Sequence, residues 1–178
     1  ADAVPERDAI VQGDRRVRWG DYEDRSSRLA QVLLDAGLGP DSKVGMFMYN
    51  CPEYAETQFA ALKIRAVPVN VNYRYLDDEL HYLLEHADIE ALVFHSSLGD
   101  RVARVCDRLP MLKAMICVDD GPAEDGSMGP ANGIPYDTFL SQASGTAKTQ
   151  PQGDEIYMLY TGGTTGMPKG VMYPLDGF

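Results

Sequence analysis

Short apolar runs alternate with longer segments in which apolar residues recur every three to four positions, and this rhythm holds from residue 43 to residue 118. Lys43 to Tyr49, Val67 to Val71, Ala91 to Phe94 and Ala114 to Val118 have the length and β-branched content of buried strands. The segments between them read as helices. Pro52 suits a first helical position and Glu53 and Glu56 suit a first turn, so a helix is predicted from there to about Ile64. Leu76, Leu80, Leu83, Leu84 and Ala87 stand at spacings of four, seven, eight and eleven, which places them along one helical face. Leu98, Val102, Val105, Cys106 and Leu109 repeat the pattern. Upstream, Ala9 to Gln12 and Arg16 to Trp19 flank Gly13-Asp14-Arg15 as a short hairpin. A helix over about 21–36 then buries Tyr22, Ser26, Leu29, Ala30, Leu33 and Ala36, and Gly37 and Gly39 stop it.

Helices between short apolar strands imply crossover units, hence an α/β fold with a mostly parallel sheet covered by helices on both faces. After residue 118 the character changes. Asp119 to Gly133 mixes Asp119, Asp120, Glu124 and Asp125 with Gly, Pro, Ser and Asn, without the alternation a calcium loop needs. It reads as a solvated surface loop. Tyr136 to Gln142 suggests a short helix, and Ala143 to Gly153 a polar connector. The expected division is residues 1–150 as an N-terminal α/β subdomain and 151–178 as a strand, loop and strand beginning the next.

That last loop carries the chemistry. Tyr160 to Gly170 reads Tyr-Thr-Gly-Gly-Thr-Thr-Gly-Met-Pro-Lys-Gly between the apolar runs 156–160 and 171–173. Glycine admits positive φ and close approach of main-chain N–H groups to a ligand. Successive N–H groups make an anion-binding nest, threonine hydroxyls add donors, and Lys169 adds a mobile positive charge. The composition suits a polyphosphate cradle. It is not the nucleotide P-loop, which needs Gly-Lys-Ser/Thr opening into a helix: Pro168 stands five places after Gly163, and Gly170 follows Lys169. The dinucleotide spacing Gly-x-Gly-x-x-Gly is absent as well. A plain hairpin turn would use one or two glycines and has no need of adjacent threonines with a Pro-Lys-Gly exit.

Composition bounds the function. The chain has 178 residues, 44% hydrophobic and 24% charged, which suits a globular domain. A formal charge of −11 argues against nucleic acid as a partner and requires any nucleotide site to act through local, oriented donors. No apolar run approaches the length of a membrane span, and the start Ala-Asp-Ala-Val-Pro lacks signal-peptide regions; an opening on Ala1 suggests residues upstream. Cys51, Cys106 and Cys117 are far apart and odd in number, as expected of reduced, mostly buried thiols in a cytosolic protein. His81 and His86, five residues apart, turn away from one another, and with His95 they form no metal spacing, so no metal site is expected.

Tyr160 to Gly170 resembles the phosphate-loop signature of the adenylate-forming enzymes, Tyr-Thr-Ser-Gly-Thr-Thr-Gly-x-Pro-Lys-Gly, at nine of its ten fixed positions. That superfamily includes acyl-CoA synthetases, luciferase and peptide-synthetase adenylation domains. The departure is Gly162 in place of serine, which removes a hydroxyl but leaves main-chain contacts. Ala66-Val67-Pro68-Val69-Asn70-Val71-Asn72 with Asp78-Glu79-Leu80 is similar to the family's Gly-Ala-Val-x-x-Pro-Leu-Asn run and the helix after it, with Arg65 where that run begins on glycine.

The resemblance implies that Thr161, Gly162, Gly163, Thr164, Thr165 and Gly166 surround the β and γ phosphates of ATP, and that Lys169 clamps them or fixes the loop's exit. It implies Mg2+ with the ATP, attack of a carboxylate on the α-phosphorus, release of pyrophosphate, and coenzyme A as the second substrate. The family's catalytic, metal and acyl-pocket motifs lie beyond such a loop, so no catalytic residue is expected within this chain, which reads as an N-terminal piece, inactive alone and prone to self-association through uncovered surfaces. The form of the loop is similar to that of bacterial fatty-acyl-CoA ligases, which implies a medium- or long-chain fatty acid and a cytoplasmic enzyme, compatible with peripheral membrane association. An adenylation domain, an aryl- or steroid-acid ligase, and a non-catalytic binding or assembly module are the alternatives.

Overall fold

A computed structural model describes residues 3–123, 126, 129–130, 133–147, 152–163 and 166–175. The chain opens with an antiparallel pair, β1 (Asp8–Gln12) and β2 (Arg15–Arg18), which turns at Gly13 in the left-handed region (φ 57°). Helix α1 (Trp19–Asp35) follows directly, starting two residues before the periodicity suggests. The main body then alternates: β3 (Lys43–Phe47), α2 (Pro52–Lys63), β4 (Val67–Asn70), α3 (Asp77–His86), β5 (Ile89–His95), α4 (Gly99–Val105), β6 (Ala114–Val118). It closes with β7 (Ile134–Pro135), α5 (Tyr136–Ser141), β8 (Ile156–Gly163) and β9 (Gly166–Pro174).

Seven strands form one sheet in the order β7-β6-β5-β3-β4-β8-β9. Every neighbouring pair is parallel except β8 with β9, as expected for a mostly parallel α/β sheet. Because side chains alternate across a strand, the apolar runs feed two cores. Val44, Met46, Ala91, Val93 and Ile116 face α1, α2 and α5. Val67, Val69, Leu92, Phe94 and Met115 face α3 and α4. Gly45 suits a tight point of the second core: a Cβ there would stand 3.0 Å from Leu92 Cδ1 and 3.1 Å from Ile89 Cγ2.

Several boundaries depart from the apolar pattern. Helix α4 ends at Val105 and tightens into a 3₁₀ turn over Cys106–Arg108, although the pattern runs on to Leu109. Pro110 is the reason: the residue before a proline is held out of the α region, and Leu109 has φ −120° and ψ 75°. The loop over Asp119–Gly133 is followed by an unforeseen strand, since Ile134 and Pro135 pair with Ile116 and Cys117 at the sheet edge. Glu124 and Asp125 lie outside the described residues. Of the three cysteines, expected to be mostly buried, Cys117 is buried in β6 and Cys51 and Cys106 are half-buried. Among the described residues no helix is long and apolar enough to cross a membrane.

Arg65 occupies the left-handed region at φ 58°, where an L side chain costs about 1–3 kcal/mol. This explains why glycine suits the position. Arg65 makes use of its side chain instead, with both oxygens of Asp154 at 2.7 Å from Nη2, which ties the turn before β4 to the approach of β8.

Candidate functional site

The glycine-rich segment is the tip of a hairpin. β8 leaves the body parallel to β4, and β9 returns antiparallel to it, forming the sheet edge. The frame is strand, loop, strand, as the flanking apolar runs suggest. Tyr160 pairs with Gly170 and Thr161 with Lys169, but beyond them Gly163 pairs with Gly166, so the register slips by one residue. Met167 and Pro168 together oppose Gly162. A proline lacks the N–H that a regular ladder requires, and a bulge is where it fits.

Cross-strand partners project to the same face, so Thr161 and Lys169 share a face, and both are exposed. Lys169 makes no ion pair among the described residues, which leaves its charge available. Gly162, Gly163 and Gly166 lie in the strands at the tip; Thr164 and Thr165 lie outside the described residues. Five of the seven expected phosphate-binding residues are thus brought together at the carboxyl end of a parallel strand, where open α/β sheets receive ligands.

Towards its base the hairpin is anchored on both faces. Ile156, Met158 and Tyr160 pack on the core beneath α3 and α4, and Tyr157 on the core beneath α1 and α2. The hydroxyls of Tyr157 and Tyr54 are 3.2 Å apart, and Tyr54 donates to Asn70 Oδ1 at 3.2 Å. Tyr160 Oη lies 2.7 Å from His86 Nδ1 at the last turn of α3. The two rings meet edge to face, and Tyr82, one turn earlier on α3, stacks on His86 at 5.2 Å. Burial pushes the Tyr160 phenol up to about 12, so it keeps its proton and donates when the imidazole carries its own on Nε2. Gly170 permits this arrangement: a Cβ there would be 3.0 Å from Tyr160 Cε2 and 3.1 Å from Cζ. Sequence spacing gave no reason to single out His86, because its partner lies 74 residues away.

A cavity of about 300 Å³ opens elsewhere on the same rim, at the carboxyl ends of β3, β5 and β6. Glu53, Asp119 and Asp120 line it, and its arginine, Arg15, is already held by Glu53 at 3.0 Å. That charge balance disfavours a polyphosphate. The hairpin, with glycine N–H groups and an uncommitted lysine, is the better cradle.

The family model for AMP-binding enzymes matches residues 1–177, and the chain belongs to that family. The 3-oxocholest-4-en-26-oate–CoA ligase of Rhodococcus rhodochrous is 42% identical over 173 residues, covering 97% of this chain and 31% of that protein. A medium/long-chain-fatty-acid–CoA/3-oxocholest-4-en-26-oate–CoA ligase of Mycolicibacterium smegmatis is 39% identical with the same coverage. The chain thus spans about a third of the length of these relatives. Among solved structures, an anthranilate CoA ligase holding anthranoyl-AMP superposes with a TM-score of 0.85 at 20% identity over 98% of this chain and 33% of its own, a likeness of fold.

Proposed function

We propose that this chain is the N-terminal part of an ATP-dependent carboxylic acid:CoA ligase, and that its β8–β9 hairpin holds the β and γ phosphates of ATP. The carboxylate attacks the α-phosphorus, pyrophosphate leaves, and coenzyme A displaces AMP from the acyl-adenylate to give a thioester. Thr161, Gly162, Gly163, Thr164, Thr165, Gly166 and Lys169 serve the first step by keeping the leaving group in line and offsetting the charge that develops on it. The observation that carries this reading is the exposed pairing of Thr161 with Lys169 beside a glycine tip on a hairpin anchored from behind. Mg2+ enters with the nucleotide: the hairpin's hydroxyls and lysine suit phosphate, and among the described residues no cluster of three or more His, Cys, Asp or Glu side chains is placed to hold a metal. The hairpin from residue 151 onward begins a second subdomain, and the enzyme works in the cytoplasm.

The acid is a medium- or long-chain fatty acid. A steroid side-chain acid is the second reading, favoured by the 42% identical relative that ligates 3-oxocholest-4-en-26-oate. Acid-dependent exchange of labelled pyrophosphate into ATP by the full-length protein tests the reaction, and fatty acids against a cholestenoate test the substrate. No exchange with either acid class would overturn the ligase reading and favour a non-catalytic module. Adenylate formation with transfer to a carrier protein but not to CoA would make it a peptide-synthetase-type domain. Thr164→Val with Thr165→Val should slow exchange or raise the ATP requirement at least tenfold, as losing transition-state donors does. Unchanged kinetics would remove those hydroxyls from the site.

A further inference from the structure

The tip of the hairpin is poorly supported by the sheet. β8 pairs with β4 at Val69↔Met158 and Asn70↔Leu159, so from Tyr160 onward its only strand neighbour among the described residues is β9. On the α2 side the last hydrogen-bonded anchor among the described residues is Tyr157, five residues before Gly162 at the tip. Among the described residues, the Tyr160–His86 contact is the only side-chain hydrogen bond that joins residues 160–163 and 166–173 to the rest of the fold. It acts at a sensitive point. Tyr160 immediately precedes Thr161, and its ring lies over Gly170, the neighbour of Lys169. Fixing that ring fixes both strands where the phosphate-facing pair begins. The exposed His86 ring is itself stacked on Tyr82 of the same helix, so it is in ring contact on both sides.

We propose that His86 is a positioning residue for the phosphate hairpin: through Tyr160 it sets the angle at which Thr161 and Lys169 are presented. The proposal rests on the phosphate-binding reading above. A residue of this kind touches no substrate, so its loss changes how well ATP is received and leaves the acid site alone.

The test uses the full-length enzyme with His86→Phe, which keeps a packed ring but removes Nδ1, His86→Gln, which restores a polar partner, and Tyr160→Phe. Pyrophosphate exchange should show the KM for ATP rising roughly fivefold in His86→Phe, the equilibrium share of one ordinary hydrogen bond, with the KM for the acid unchanged. His86→Gln should recover most of that loss. The double variant His86→Phe/Tyr160→Phe should be no worse than either single one, because both remove the same contact. A rise shared equally by ATP and acid, or losses that multiply in the double variant, would overturn the proposal. If the wild-type enzyme catalyses no exchange, the ligase reading has failed on its own account, and amide hydrogen exchange over residues 161–169 still decides this one. Faster exchange in His86→Phe than in His86→Gln supports the tether; equal rates reject it. Thermal midpoints of the variants separate loosening of the hairpin from general unfolding.

Discussion

The central strands and the edge hairpin of this sheet are built on opposite principles. In β3 and β5 each strand is paired on both sides, and Val44, Met46, Leu92 and Phe94 are fully buried. β8 and β9 carry glycine at the tip, β8 has only two register pairs with β4, and β9 leaves Met172 and Val171 on an exposed edge. The core gains stability from burial, which is non-directional and tolerates little change of volume. The hairpin gains orientation from a few directional contacts, at Tyr157, Asp154 and Tyr160. A residue in the first region should move global stability and one in the second should move the tip.

Phe94→Ala gives the largest separation of the two. The side chain is fully buried in the core beneath α3 and α4, and truncating such a group costs about 3–5 kcal/mol. Denaturant titration should show the midpoint falling with an unchanged slope. A loss under about 1 kcal/mol would mean that the site collapses around the smaller residue. Exchange at the hairpin tip should be no faster, relative to the rest, than in the parent chain.

How much of this contrast was legible in the sequence differs between the regions for the same reason. The core strands declare themselves through runs such as Leu92-Val93-Phe94, because burial on both faces leaves an apolar signature in consecutive residues. The hairpin frame was also legible, since apolar runs flank a glycine-rich tip. What escaped was contact between distant segments. His86 with Tyr160, Arg65 with Asp154, and the strand at Ile134–Pro135 each depend on a partner that the sheet order brings close. Local pattern carries no record of such pairs. The end of α4 was missed differently: Pro110 overrode a periodicity that ran on to Leu109.

A titration separates the regions with opposite signs. At the hairpin base, N–H groups of Gln152 and Gly153 donate to the Glu155 carboxylate at 2.7 and 3.0 Å and hold it below its ordinary value of 4.5. Its contribution is complete above pH 4.5 and is lost as pH falls through the lowered value. In the core, burial drives the Glu56 carboxyl above 4.5, although Arg25 and Tyr136 pull it back. Its contribution is present below 4.5 and is lost as pH rises through the raised value. Acidification should therefore loosen the hairpin while Glu56 opposes melting of the core. Hydrogen exchange from pH 7 down to about 3 checks this, since the Glu155 window lies below 4.5. Glu155→Gln should flatten the acid dependence at residues 152–163, and Glu56→Gln should remove the slope of opposite sign. Parallel loosening of both regions would reject the distinction.

Arg65→Gly tests the seam between the regions, and its effect on global stability should be the smallest. Two changes oppose one another. Glycine relieves a left-handed backbone at φ 58°, a gain of about 1 kcal/mol or somewhat more, reduced by the greater freedom glycine adds to the unfolded chain. Removing the guanidinium breaks the pair with Asp154, whose side chain is 65% exposed, and pairs of that kind contribute about 0–1 kcal/mol. The net should lie within about 1 kcal/mol of zero. Local order should not cancel in the same way. Asp154 leads into β8, and without its tether the approach to the hairpin keeps, among the described residues, the Glu155 contacts. Exchange over 152–156 should accelerate while the thermal midpoint barely moves. A midpoint that dropped steeply would show that Arg65 supports the core itself, and the boundary between scaffold and hairpin would have to be drawn further out along β8.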